Sequence, residues 1–359
     1  MEEQIIGNSY VLYWMQAAQR DNYNPALCVA IDKANELSLP LLILFCIDGS
    51  FPEANLRHYK FMLEGLWEVG LRLQERCIPL LFALGETEDI IIGLSQGSAA
   101  VIFDKGYLRW QKHSRENVRR QLHIQKIPCF EVETEAIIPV ETVSPKEEYS
   151  AATLRAKLLK ILPEYLDVDI PCSPVTHSAK NVMLPKSALE NDIRYAAQMA
   201  SAEELIAWAR AGLAMDESVA PVNNFRGGYR LASEKLDSFV RETFPLYATL
   251  HSDPGTNYQS GLSPWLHFGQ ISALEIAHRI MVASDLKAFE IPDMIKRKAE
   301  LTGIRHQCAT FLEQLIVRRE LSMNFCHYNQ DYDSYNSIPL WARDSLEKHK
   351  KDRRPYLYS

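Results

Sequence analysis

Short apolar runs recur along the first third of the chain: VLYWM (11–15), LLILFCI (41–47), PLLFAL (79–84), AAVIFD (99–104) and IPCFEVE (127–133). Between them the apolar positions fall at helical spacing, over residues 26–37, 56–76, 87–95 and 109–125. Continuous apolar strands alternating with amphipathic helices predict βαβ units around a parallel sheet that is buried on both faces. The right-handed crossover rule then makes a doubly wound α/β domain the expected architecture. No GxGxxG follows the first run, so the usual dinucleotide fingerprint is absent.

The pattern changes near Pro139. Residues 134–150 and 163–200 are richer in Pro, Ser and Thr and carry no period-2 runs, which predicts a long linker with one helix, 151–162, inside it. Beyond residue 200 the strong periodicities are helical, at 202–213, 230–243, 272–283, 306–325 and 340–350. The expected division is an α/β domain at 1–138, an interdomain linker at 139–200 and an all-α domain at 201–359.

Composition narrows the class without naming it. The 359 residues are 47% hydrophobic and 24% charged, with a net charge of −7, which argues against a nonspecific nucleic-acid binder. Basic residues do cluster locally in the second half, at Lys296-Arg297-Lys298, Arg318-Arg319 and Lys348 to Arg354, where a local DNA contact is conceivable. The N-terminus MEEQIIGNSY lacks the basic and apolar regions of a signal peptide, and no apolar run is long enough to span a bilayer. Seven scattered cysteines without a CxxC pair read as reduced thiols. A cytoplasmic protein with no membrane partner is expected.

One stretch carries concentrated local chemistry. In GLSPWLHFGQIS (261–272), Ser263-Pro264 is a helix start, and Ser272 with Glu275 forms a second start of the capping-box type. Two helix N-termini so close together would suit a phosphate. His267 in the middle reads as a structural hydrogen-bonder.

At this point the residues resemble the class II cyclobutane pyrimidine dimer DNA photolyases of the photolyase and cryptochrome family. The resemblance rests on collinear stretches: YWMQAAQR (13–20), PVETVSPKEEYSAATLRAKL (139–158), FRGG (225–228), QSGLSPWLHFGQIS (259–272), FLEQLIVRRELSMNFCHYNQDYDS (311–334) and WARDSLEKHKKDRRPYLYS (341–359). It implies an α/β antenna domain, which in some members holds a deazaflavin-type chromophore, followed by a helical FAD-binding domain. It also implies light-driven electron transfer from reduced FAD to a pyrimidine dimer flipped out of UV-damaged DNA.

Carried over residue by residue, the resemblance assigns Tyr247 to the phosphate and ribose end of the flavin, and Ser260, Gly261, Leu262 and Ser263 to its diphosphate. Phe311, Gln314 and Arg318, spaced by three and four on one helix, would share the face toward the flavin. Glu313 and Gln314 stand where the family commonly has two acids, one of which meets the lesion. A glutamine there can donate a hydrogen bond but no proton, so repair would be slowed. His251-Ser252-Asp253-Pro254 replaces the more usual Arg-Asn-Asp-Pro and removes a permanent charge.

The family pattern continues past Ser359, through a Trp-Asn-x-x-Gln stretch and the residues that face the reactive ring, so the helical FAD-binding domain is expected to be incomplete. The expectation follows that its helices expose apolar faces, that the chain alone binds FAD weakly, and that a second chain could supply the rest. Two alternatives stay open: a non-enzymatic, cryptochrome-like photoreceptor or DNA-binding remnant, and an inactive gene fragment.

Overall fold

The computed structural model describes residues 9–51, 54–179, 182–185, 192–222 and 225–356. Its first part is a six-stranded sheet built from β1 (Tyr10–Trp14), β2 (Leu41–Ile47), β3 (Leu80–Leu84), β4 (Ser98–Asp104), β5 (Cys129–Val132) and β6 (Ile193–Tyr195), in the order β5-β4-β1-β2-β3-β6. The first five strands are parallel, with Val11 opposite both Leu41 and Ala100. Helices α1 (Pro25–Glu36), α2 (Leu56–Glu75), α3 (Thr87–Ser95) and α4 (Arg109–Ile124) connect them. Alternate strand residues feed two separate cores, Val11, Tyr13 and Ile43 on one face and Leu12, Trp14 and Leu44 on the other. That two-sided burial is why the strands read as unbroken apolar runs.

The stretch expected to be a linker is built into both halves. Helix α5 (Ala151–Leu166) continues past Pro163, four residues beyond the expected end. A proline so near the terminus removes only one of the last bonds, and Leu166 is buried beyond it. Leu154, Leu158, Leu159 and Leu162 belong to the core of the helical half. Farther on, β6 pairs antiparallel with β3, Phe82 opposite Arg194. Its three half-buried residues, Ile-Arg-Tyr, carry too short a pattern to announce a strand. Helix α6 (Ala202–Gly212) also packs on the α/β side, with Leu205, Trp208 and Ala209 in that core.

The helical half follows as α7 (Tyr229–Ser238), α8 (Ser263–His267), α9 (Ala273–Ala283), α10 (Ile291–Lys296), α11 (Gly303–Leu312), α12 (Arg319–Tyr328) and α13 (Leu340–Lys348). A wide turn of π type, Glu313–Arg318, joins α11 to α12 without a break. On this half Val282, Phe289, Leu340 and Trp341 are large and exposed.

The FRGG motif docks the two halves. Gly227 donates its N–H to Glu64 on α2 at 2.9 Å, and Gly228 donates to Gln270 at 2.8 Å. A side chain at 227 would strike the Phe61 carbonyl, so only glycine lets the strand of backbone lie on α2.

One expectation fails outright. Cys28 on α1 and Cys172 form a disulfide, with Cα atoms 4.7 Å apart. Spacing in sequence could not reveal a pair separated by 144 residues. Around it, Ser173 donates to Asp32 at 2.9 Å and Thr176 to Asn35 at 2.8 Å, so the segment is strapped along α1. No helix among the described residues is long and apolar enough to cross a membrane.

Candidate cofactor sites

Strand order reverses between β1 and β4, and ligands of open parallel sheets bind beyond the carboxyl ends of the strands at such a point. Asp104, the last residue of β4, shapes the backbone there. Its Oδ2 accepts the N–H groups of Gln16, Ala17 and Ala18 at 2.8, 2.7 and 3.0 Å, and its Oδ1 accepts the Tyr13 hydroxyl at 2.7 Å. The turn after β1 is thereby fixed across the gap between the two strands.

Over this turn lies a cavity of about 790 Å³, closed on its far side by the helical half. Its walls are largely apolar and aromatic. Phe51 and Trp110 meet edge to face at 4.6 Å, and Tyr59, Met62 and Phe268 complete that side. Gln16, Gln19, Lys105, Glu135 and Arg319 bring polar groups to it. Glu135 lies 3.7 Å from Arg20 and 3.1 Å from Arg319; burial raises its pKa, and the two guanidiniums oppose the rise. Tyr107 donates to Glu133, and burial together with that carboxylate pushes the phenol far above its ordinary value. The Oε1 atoms of Gln16 and Gln19 are buried without a hydrogen-bond partner among the described residues.

The residues expected at the flavin lie elsewhere, in the helical half, and none of them lines this cavity. The structure joins some of them. Tyr247 and Phe311 are buried and meet edge to face at 5.2 Å, in a cluster with Phe239 and Phe244. Tyr247 also stacks on His251 at 4.6 Å.

The stretch from Ser260 to Ser263 forms a sharp bend. Ser260 accepts the Leu262 N–H at 3.4 Å, Leu262 is buried, and Gly261 has φ +69°. A Cβ at 261 would come within 2.8 Å of the Lys235 side chain, whose ammonium lies 3.5 Å away. Glycine thus lets the Lys235 side chain lie against the bend and sets a cation beside it, which fits the anionic end of a dinucleotide.

The expected caps are only half realised. Ser263 occupies the first helical position and makes no capping bond, because Leu262 precedes the helix. Ser272 does cap α9, accepting from Leu274 at 3.2 Å. It is buried, however, and Glu275 turns away to accept from Tyr229 at 2.6 Å, so no capping box forms and this second N-terminus is closed.

The wide turn Glu313–Arg318 resets the helical phase just after Phe311. Phe311 points into the core, while Gln314 and Arg318 are exposed, so the three do not present one common surface. Glu313 is buried between Arg155, at 2.5 Å, and Lys298, and these cations outweigh burial to lower its pKa. It pins α5 to the turn. Arg318 forms no ion pair among the described residues, which leaves its charge available.

Comparison with known proteins supplies the family. The model described as DNA photolyase matches residues 11–175. A deoxyribodipyrimidine photo-lyase of Methanothermobacter thermautotrophicus is 37% identical over 358 residues, covering 100% of this chain and 70% of that protein. The one from Potorous tridactylus is 32% identical, over 97% of this chain and 59% of its own length, and that from Arabidopsis thaliana is 30% identical, over 97% and 65%. The chain thus spans about three fifths to two thirds of most of these relatives. A solved class III photolyase from Agrobacterium tumefaciens superposes with a TM-score of 0.58 at 16% identity, covering 95% of this chain and 66% of that one, which shows the same fold. With both halves of the chain matched in one alignment and the sheet and helices in the arrangement of a solved photolyase, this chain belongs to the DNA photolyase family.

Proposed function

We propose that the chain acts in light-driven repair of cyclobutane pyrimidine dimers in DNA, as a class II member of its family. The observation that carries this reading is the 37% identity to a deoxyribodipyrimidine photo-lyase across both halves. FAD, when bound, supplies the light-excited electron donor. Ser260, Gly261 and Ser263, with Lys235 beside the bend, would hold its diphosphate, and Tyr247 and Phe311 would form the apolar floor nearby. Arg318 offers a cation to phosphate, and exposed Gln314 offers an amide N–H to a carbonyl of the flipped lesion.

The 790 Å³ cavity would hold the antenna chromophore, of deazaflavin or similar type. Its position beyond the carboxyl ends of β1, β2 and β4 and its aromatic walls support that reading. Glu313, buried in its ion pairs, serves as a positioning residue for the turn that carries Gln314. DNA would be met by the basic clusters of the helical half, and a DNA substrate accords with a cytoplasmic setting. Purification in the dark followed by an absorbance spectrum tests the cofactor assignments: flavin bands that diminish in a Gly261→Val variant support the cradle, and bands unchanged by that substitution contradict it.

A further inference from the structure

After α5 the chain crosses from the helical half back to the α/β half, and little holds the crossing in place. It leaves α5 at Leu166, whose carbonyl accepts the Nε2–H of His278 on α9 at 2.9 Å, while Nδ1 of the same ring accepts the Tyr23 hydroxyl at 3.3 Å. Ile170 then packs against the core of the helical half, and Cys172 and Val175 pack against that of the α/β half. All three are only half-buried. Residues 168–176 form no helix or strand, and no backbone–backbone hydrogen bond among the described residues. Their polar ties to α1 run through solvent-exposed bonds. Ser173 donates to Asp32 at 2.9 Å, Asn35 donates to the Pro174 carbonyl at 3.0 Å, and Asn35 accepts the Thr176 N–H and hydroxyl at 2.9 and 2.8 Å. Bonds of this kind compete with water, and each adds little.

The strong tie is covalent, the bond from Cys172 to Cys28 in the first turn of α1. Neither cysteine is fully buried, and Pro171, Ser173 and Pro174 beside Cys172 are exposed, so a thiol from solution can reach the bond. We propose that Cys28–Cys172 is a redox latch: reduction by a dithiol frees residues 168–176 from α1, and reoxidation clamps them again. One thiolate of the dithiol attacks the Cys172 sulfur, the S–S bond breaks, and Cys28 leaves as a thiolate that takes up a proton. The second thiol of the reductant then displaces Cys172 from the mixed disulfide, and Cys172 takes up a proton in turn. Two electrons and two protons pass to the protein, and the dithiol departs as its own disulfide. Release stays local because both ends of the crossing remain fixed. His278 holds Leu166 at one end, and Ile193–Tyr195 stays laddered to β3 at the other. A bond between densely packed elements would take a core with it when broken; this one fastens a segment that packs through three half-buried side chains.

The test is limited proteolysis of the full chain by proteinase K, with the cut sites identified by mass spectrometry. The unaltered protein is compared as oxidised, after dithiothreitol, and after reoxidation by the cyclic disulfide of the same reagent. A Cys28→Ser variant supplies a latch that cannot close. Cleavage within 168–176 should run about tenfold faster after reduction, because it follows the population of the opened segment. Reoxidation should restore the slow rate, and Cys28→Ser should be cut fast under every treatment. The far-ultraviolet circular dichroism of the reduced protein should match that of the oxidised one. Equal cleavage rates in oxidised and reduced protein, or a fast rate that reoxidation leaves unchanged, would overturn the latch. Loss of the circular dichroism on reduction, with cuts spread through β1 to β4, would make the bond a staple of the whole fold and overturn it as well.

Discussion

Arg20 and Gly269, 249 residues apart, are joined by a hydrogen bond from Nη1 to the glycine carbonyl at 2.9 Å. The same guanidinium donates to the Thr134 carbonyl at 2.6 Å and to that of Tyr23 at 3.1 Å, and it is almost wholly buried. Gly269 has φ +63°, and a side chain there would strike the Ala17 carbonyl. One arginine and one glycine thus lock the helical half onto the turn that floors the large cavity. Arg20→Ala should cost about 3 kcal/mol or more, because three carbonyls lose a charged donor together. Arg20→Lys should recover little, since an ammonium cannot span the three directions. Urea unfolding of the variants measures both.

Glu320 predicts a pH dependence of stability. Its carboxylate is buried, accepts the Ile137 N–H at 2.8 Å and the Ile138 N–H at 3.3 Å, and has its pKa raised by burial to about 8. The folded state therefore holds a proton that the unfolded chain releases near 4.5. The stabilising contribution is complete below 4.5 and is lost as pH rises toward 8, with a slope of at most about 1.4 kcal/mol per pH unit. Glu320→Gln keeps an acceptor for both amides and should flatten that decline. Melting temperatures from pH 5 to 9 check it, and equal slopes in both proteins would contradict it.

The disulfide predicts a thiol count. Alkylation of the unfolded, unreduced protein should modify five of the seven cysteines, sparing Cys28 and Cys172. Mass spectrometry reads the number directly, and seven modified thiols would contradict the pairing. Cys172→Ser should destabilise by about 2–4 kcal/mol, through loss of a long-range link in the unfolded chain.

Gln314 should influence repair without holding the fold. It is exposed, so Gln314→Ala should leave urea unfolding within about 0.5 kcal/mol. Gln314→Glu, protonated at low pH, could give a proton where glutamine cannot. Its repair yield per absorbed photon should exceed that of the unaltered protein as pH falls. Equal yields at every pH would remove Gln314 from the lesion.

The α/β half was legible because each of β1 to β4 is buried on both faces and so writes its position as an apolar run. Strand β6 was not, since Ile193-Arg194-Tyr195 sits half-buried at the sheet edge. The bend at Gly261 was visible as turn and cap chemistry, although Leu262 rather than Ser263 precedes the helix. The helix carrying Phe311, Gln314 and Arg318 was legible as a helix, but its wide turn was not, because a π turn shifts phase without a breaker residue. The residues around the large cavity escaped notice because Gln16, Lys105 and Glu135 come together only through the crossovers and Arg319 only through the docking of the helical half. The one signal available was the place of Gln16, Lys105 and Glu135 shortly beyond the ends of β1, β4 and β5.

Light-dependent loss of dimers tests the proposed activity most directly. The dark-purified chain, supplied with reduced FAD, is mixed with an oligonucleotide holding one thymine dimer, and dimers are counted after blue light and after an equal time in the dark. Repair in the light alone, reduced in a Gly261→Val variant, is the expected result; dimer counts equal in light and dark, with flavin bound, would contradict it.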